Sequence, residues 1–360
     1  MRSLIAPAFG PPSVYQVLES PDLVLTKPTE ILVKITAASI NGHDIIMASG
    51  KTKMIQVLPL PYPIGLDYAG FVMAVGAEVQ GYAPGDAVYG FSLAGGCAAT
   101  QILVDLARAH AIAKVPSILE SPAAAASLPA VAVTAHLGLL RANTFFAETG
   151  GLAGKTVFIP GALSGVGSIA LQLAKRVYGC RTLTAASPGK IPRLTELLGE
   201  GVVDVAVDYT TADVVKELGK STVDFVFDTT GLAADYLPLI RRSGLCLSIA
   251  RLPPGSTLRN EDPEAPPQSR VACIGQNVMD GMDTAFRTWA RTRYGVTYIY
   301  QKTDVSDADM SALSELVQTS MLKPVVGKTA SLDDIETIRE VCMGMFSGKG
   351  GIGKFVITMP

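Results

Sequence analysis

Between the apolar run Lys155–Ile159 and a segment of helical periodicity stand seven residues, Gly161-Ala162-Leu163-Ser164-Gly165-Val166-Gly167. The residues that carry the periodicity are Val166, Ile169, Ala170, Leu173, Ala174 and Val177. Small residues at a strand-to-helix turn let the backbone bend sharply and approach a pyrophosphate. The helix start then offers unpaired N–H groups and a partial positive charge to an anion. Glycines alone are weak evidence, and here Ala162 and Ser164 replace two of the usual ones. The flanking strand and helix make a dinucleotide site, with Ser164, Gly165, Val166 and Gly167 as its turn, the favoured expectation.

A second strand, Arg181–Ala186, runs into Ser187-Pro188-Gly189-Lys190. An NAD site would carry Asp or Glu there, about 20 residues past the turn, for the ribose hydroxyls. No acid is present. Ser187 can donate to a 2′-phosphate, and Lys190, with Arg193 nearby, can balance its charge, so NADPH is the expected cofactor. The alternative is that Lys190 and Arg193 are a solvated helix start. Asp228-Thr229-Thr230-Gly231 and Ile249-Ala250 end further strands and are expected to line the same crevice.

Near the N-terminus, Asn41-Gly42-His43-Asp44 concentrates polar groups before an apolar stretch. Asn and Asp there serve as helix caps, and Asn41 is equally a hydrogen-bond donor to a ligand. His43 and Asp44 are adjacent and lack a third ligand, so no metal site is expected. The five cysteines, at 97, 180, 246, 273 and 342, are widely spaced without a C-x-x-C, which disfavours a disulfide framework and a zinc ribbon. A reducing, cytoplasmic setting is expected.

These groups must be positioned by a core, and the chain can supply one. It has 360 residues, 48% apolar and 17% charged, with net charge −2. The balance gives no electrostatic case for nucleic acid, and no apolar run is long enough for a membrane span. The start, Met1–Gly10, has no signal-peptide core and reads as a first strand. The first hundred residues hold short β-branched runs such as Glu30–Ala37 and Ala69–Val75, the texture of a β-barrel. From about Gly154 strands and helices alternate, with Val203–Tyr209, Val223–Asp228 and Leu245–Ala250 as later strands, the habit of a doubly wound parallel sheet. A proline-rich stretch, Leu252–Ser269, is a surface loop, either a passive insertion or a lid. An amphipathic segment Thr284–Arg291 and strands Val296–Tyr300 and Gly353–Met359 follow.

Several motifs in order resemble the medium-chain dehydrogenases/reductases. They are Gly65-Leu66-Asp67-Tyr68-Ala69-Gly70, Gly85-Asp86-Ala87-Val88-Tyr89-Gly90, Ser127-Leu128-Pro129 with Thr134-Ala135, the Ser164–Gly167 turn, and Gly353-Lys354-Phe355-Val356. The resemblance spans nearly the whole chain and implies an α/β protein with two domains. A GroES-like β-barrel domain would comprise 1–125 and 303–360, and a Rossmann doubly wound parallel sheet domain 126–302.

Departures from the zinc alcohol dehydrogenases are informative. Their ligand Cys is matched by Asn41, their His-Glu pair by Leu66-Asp67, and their structural-zinc cysteines are absent. Zinc needs thiolate and imidazole, so the resemblance is to the zinc-independent quinone and enoyl reductases. Their Asn-Pro-x-Asp stretch matches Asn41–Asp44 and lies beside nicotinamide and substrate. It implies Asn41 as a donor to a substrate carbonyl or nicotinamide ribose, with His43 and Asp44 beside it as further catalytic candidates. The family's usual tyrosine is replaced by Ile46, which leaves Tyr62, Tyr68 and His43 as candidate proton donors. Thr134 and Tyr209 join the implied cofactor contacts, Tyr209 at the 2′-phosphate.

The implied activity is NADPH-dependent hydride transfer to an activated C=C, an enone or enoyl thioester, including a trans-acting enoyl reductase of secondary metabolism. NADPH:quinone oxidoreduction and a non-catalytic NADPH-binding scaffold or sensor are the alternatives. Expected partners are a small electron-poor alkene or quinone, or a carrier-bound acyl chain, with the protein a monomer or homodimer.

Overall fold

The computed structural model describes residues 1–56, 58–107, 110–258, 270–303 and 306–360. The chain divides into two compact units. One comprises Met1–Thr52, Leu58–Val133 and Asp304–Pro360, the other Lys53–Val57 and Thr134–Thr303.

In the first unit the long strand Glu30–Ile40 organises a seven-stranded sheet. Spatial order runs Val326–Ser331, Lys354–Thr358, Glu30–Ile40, Asp67–Val75, Ala87–Ser92, His110–Lys114, with Gln101–Asp105 also paired to the long strand. Its β-branched residues favour the pleated, half-buried surface, and Ile31, Val33 and Ile35 enter the core with Tyr68, Val72 and Val88. One edge of the long strand is shared, Gln101–Asp105 pairing with its first half and Lys354–Thr358 with its last. Register shifts against Asp67–Val75, between Leu32 and Val33 and between Ile35 and Ala37, mark bulges, which bend a strand as a barrel requires. This is a GroES-like β domain. The opening strand, Arg2–Ala6, lies in a separate three-stranded sheet with Gln16–Glu19 and Tyr62–Pro63.

The second unit is built on a six-stranded, all-parallel sheet in the order Val205–Asp208, Arg181–Ala186, Thr156–Pro160, Val223–Asp228, Ile240–Ser248, Thr297–Tyr300. The chain moves outward from Thr156–Pro160 through two strands, then returns to its other side with Val223–Asp228. That reversal is the switch point where open α/β sheets leave a crevice beyond the strands' carboxyl ends. The fold is Rossmann-like.

Two elements differ from the expectation. The strand read at Leu245–Ala250 begins at Ile240, because the exposed Arg241, Arg242 and Ser243 break the apolar pattern where the register against Val223–Asp228 shifts. The segment Thr284–Arg291 is part of a 25-residue helix, Arg270–Tyr294, which buries only Ala272, Gln276, Met279 and Ala290 and so shows a mixed periodicity. Of the proline-rich loop, Gly255–Leu258 forms a 3₁₀ turn. Residues 259–269, on which the lid reading falls, lie outside the described residues. Among the described residues no helix is long and apolar enough to cross a membrane. The five cysteines are free, and all but Cys273 are buried.

Candidate active site

The first parallel strand ends at Pro160 and the helix Gly165–Arg176 starts five residues later. Gly161 turns the chain with φ +71°, in the left-handed region that glycine enters without strain. Ser164 is the N-cap, its Oγ accepting the Gly167 N–H at 3.0 Å. A Cβ on Gly167 would lie 2.3 Å from the Gly161 carbonyl oxygen, so only glycine lets the helix start close against the strand end. The Ser164 oxygen thus serves as acceptor in the cap, which leaves its O–H as a donor. The Ser164 N–H donates to the Gly161 carbonyl at 2.8 Å, and the partly exposed Gly165 and Val166 carry the first helical N–H groups, which have no acceptor within the helix. A turn of this shape at the switch point fits a dinucleotide pyrophosphate.

Beside it, Thr229 Oγ1 donates to the Pro160 carbonyl at 2.7 Å, tying the second switch-point strand to the turn. Asp228 is fully buried. One carboxylate oxygen accepts the N–H groups of Thr230 at 3.0 Å, Gly231 at 2.9 Å and Leu232 at 3.2 Å, and the other accepts Ser248 Oγ at 2.7 Å. The Asp228 carboxylate thus holds the loop that follows its strand. Gly231 packs on Ala250, whose carbonyl oxygen would be 3.1 Å from an added Cβ. Ile249 and Ala250 follow that strand at the same edge and keep exposed surface, while Thr134 Oγ1 meets Thr303 Oγ1 at 3.0 Å.

At the end of Arg181–Ala186, Ser187 and Lys190 are half-buried, and partial loss of water holds the Lys190 pKa below its usual value. Tyr209 is 56% exposed. Asp208, paired in register with Ala186, turns its carboxylate onto its own loop, accepting Thr210 N–H at 2.9 Å and Thr211 Oγ1 at 2.9 Å. Arg193 faces Glu196 at 3.4 Å on the surface.

In the first unit, strand register brings a polar cluster together. Ser39 lies opposite Asp67, and Ile40 opposite Phe355, so three strand ends converge where Asn41 leaves the sheet. Asp67 is fully buried. Its Oδ2 accepts Ser39 Oγ at 2.7 Å, Asn41 Nδ2 at 2.9 Å and Lys354 Nζ at 3.1 Å, and its Oδ1 accepts the Ala130 N–H at 2.6 Å. Lys354, 5% exposed, also donates to Asn41 Oδ1.

Asn41 precedes the helix Gly42–Ala48, and its backbone N–H donates to Asp44 Oδ2 at 2.8 Å. Asp44 Oδ1 accepts the Gly65 N–H at 2.8 Å. Burial raises the Asp44 pKa to about 6, partly offset by those two N–H bonds. Asp44 is therefore corrected from catalytic candidate to a buried brace between the helix and the Gly65 turn. Tyr68 is corrected as well. Its hydroxyl is buried against Gly90, without a hydrogen-bond partner among the described residues, and burial raises its pKa well above the usual tyrosine value. Tyr62, 5% exposed, is raised for the same reason. His43 keeps exposed surface, although protein crowding its imidazole lowers its pKa below the usual histidine value. It is the one of these candidate donors that solvent reaches.

Reading the sequence missed Lys354 and Ser39 as members of this cluster. Lysine is almost never fully buried, and nothing local in Gly353-Lys354-Phe355 announces a partner 287 residues away. Arg251, whose guanidinium lies 3.6 Å from the Phe286 ring centroid beyond the strand Ile240–Ser248, was likewise unmarked.

Comparison with known proteins agrees with both folds. A family model described as the alcohol dehydrogenase GroES-like domain matches residues 27–113, and one described as zinc-binding dehydrogenase matches residues 201–337. The chain is 34% identical to 2-methylene-furan-3-one reductase of Solanum lycopersicum over 64% of its length. It is 33% identical to a chloroplastic NADPH-dependent alkenal/one oxidoreductase of Arabidopsis thaliana, again over 64%. It spans 57% and 58% of those relatives, respectively. The structure of a quinone oxidoreductase from Coxiella burnetii superposes with a TM-score of 0.76 at 23% identity, covering 100% of this chain and 99% of the other.

Proposed function

The chain belongs to the medium-chain dehydrogenase/reductase superfamily, and from that premise we propose that it is a zinc-independent, NADPH-dependent reductase of activated C=C bonds. The observation that carries the reading is the Lys354 ammonium bound to Asn41 and Asp67. These are two of the positions where the zinc enzymes place their ligand set. A buried cation there repels a divalent ion, and carboxamide, carboxylate and ammonium form a poor zinc site. Among the described residues no group of three His, Cys, Asp or Glu side chains stands close enough to hold a metal.

Without a Lewis acid, a simple ketone is a demanding acceptor. A conjugated acceptor asks less of the protein, since charge spreads onto an oxygen that one or two hydrogen bonds can hold. Asn41 is the candidate donor to that oxygen. His43 or water returns the proton to carbon. The names of the tomato and Arabidopsis relatives, an enone reductase and an alkenal/one oxidoreductase, support this substrate class.

When bound, the cofactor supplies the hydride from its reduced nicotinamide. The chain's part is to hold it: Gly165 and Val166 N–H groups for the pyrophosphate, and Ser187, Lys190 and Tyr209 for the 2′-phosphate. The absence of a carboxylate at Ala186–Lys190 supports NADPH over NADH.

Oxidation of NADPH, with NADH as control, against enones, enoyl thioesters, quinones and plain ketones tests the reading. Turnover of conjugated alkenes with NADPH is the expected result. Turnover of quinones alone moves the protein to the quinone reductases, and no turnover with tight NADPH binding favours a scaffold. In the same assay Lys190→Ala is expected to weaken NADPH about tenfold, or ~1.4 kcal/mol, and NADH hardly at all. Equal losses overturn the cofactor choice.

A further inference from the structure

The Asn41 carboxamide lies between two groups of fixed and opposite hydrogen-bonding character. An ammonium has only donors, and an ionised carboxylate only acceptors. Asn41 Oδ1 accepts from Lys354 Nζ, while Nδ2 donates to Asp67 Oδ2 at 2.9 Å. Turning the amide over would set its N–H groups against the ammonium and its oxygen against the carboxylate. The two ends of an asparagine amide are ordinarily hard to tell apart, and here neighbouring charge selects one.

The third side of the triangle is the Lys354–Asp67 contact at 3.1 Å, between side chains 5% and 0% exposed. Ser39 Oγ and the Ala130 N–H fill the remaining acceptor positions of Asp67, so the carboxylate has no reason to swing away. Removal from water strengthens each of these bonds and makes an unpaired alternative costly. The amide has two N–H bonds and Asp67 takes one. The other has no acceptor among the described residues, and Asn41 is partly exposed.

We infer that Lys354 and Asp67 are positioning residues that lock the Asn41 amide so that its second N–H is presented, in one fixed orientation, to the oxygen of the electron-poor substrate. The inference rests on the reading of Asn41 as a substrate donor. Neither charged group touches substrate; both act through the amide. The ammonium on Oδ1 also draws electron density along the amide and makes the presented N–H a stronger donor. A preset donor stabilises charge that develops only in the transition state, so its loss falls on kcat rather than KM.

Asparagine-selective ¹⁵N labelling gives a direct readout, because the chain has four asparagines and Asn41→Ala identifies the Asn41 signal. In the unaltered protein the two Asn41 amide protons are expected to exchange with solvent at clearly different rates, the one on Asp67 slowly. The charge-neutral double variant Lys354→Met with Asp67→Asn, checked for folding by circular dichroism, is expected to abolish the difference. It should also lower kcat about tenfold on the best enone of the panel, with KM little changed. Lys354→Arg should retain most of both properties. Equal exchange of the two protons in the unaltered protein overturns the inference without any variant, as does full kcat in the folded double variant. Full activity of Asn41→Ala overturns the reading beneath it. That case is distinguishable, because the exchange asymmetry then persists with no consequence for kcat.

Discussion

Asp228 and Asp67 are both fully buried carboxylates, one in each unit, and they are satisfied in opposite ways. Asp228 takes neutral donors, mostly from its own loop: the N–H groups of residues two to four positions on, and the hydroxyl of Ser248. Asp67 takes an ammonium, a carboxamide, a hydroxyl and one N–H from three separate stretches of chain. The first arrangement is a loop bracket, a carboxylate held by neutral dipoles, that shapes a cradle. The second places opposite charges out of water and uses them to fix the direction of one amide. A phosphate site of backbone N–H groups needs only shape and dipole, whereas a donor to developing charge gains from a preset orientation.

The sharpest way to break the comparison is Lys354→Met alone. It leaves the Asp67 charge buried with neutral partners only, and a loss of about 3–5 kcal/mol in urea unfolding is expected. The double variant with Asp67→Asn should recover most of it. A loss below about 1 kcal/mol for the single change would mean that Asp67 does not need its ammonium.

Asp44 is a third buried carboxylate, with two N–H bonds and, among the described residues, no ammonium within hydrogen-bond reach, and its pKa rises to about 6. Because the folded value lies above the unfolded one, the folded protein binds the extra proton between about pH 4 and pH 6. The associated stability is present below that window and lost as pH rises through it, by about 3 kcal/mol. The stability gap between the unaltered protein and Asp44→Asn should therefore narrow from pH 4 to pH 7. A gap independent of pH would show that Asp44 is ionised throughout.

The smallest of these effects is expected at the neutral bracket. Asp228→Asn keeps an oxygen for the three loop N–H groups and loses a charge that has no ion-pair partner among the described residues, so about 1–2 kcal/mol is expected from the weakened bonds. Asp67→Asn alone should cost more, since it leaves the ammonium without its partner. Equal costs would erase the distinction drawn between the two carboxylates.

How much of this could be read from the chain follows from where the partners lie. The Ser164–Gly167 turn is local: a short apolar strand, small residues, then a 3.6-residue period, and the structure has that strand, cap and helix. The missing acid after Ala186 is equally a local fact. The strand Ile240–Ser248 was read short, and the helix Arg270–Tyr294 only in part. Their exposed faces mix charge with apolar residues such as Val271, Ile274 and Val278, which blurs periodicity.

The candidate catalytic residues divide along the same line. Asn41 was legible by type and by resemblance, yet Tyr68 and Asp44 carry equally suggestive types and are buried. Sequence alone determined the two-domain α/β architecture, the strand-to-helix turn at Ser164–Gly167 and the loss of the zinc ligand types, because those depend on residue type over short stretches. Only the tertiary structure decided that Lys354 sits on Asn41 and Asp67. That contact is made by the register of three strands drawn from the two ends of the chain, and register is fixed by packing of the whole sheet rather than by any local pattern.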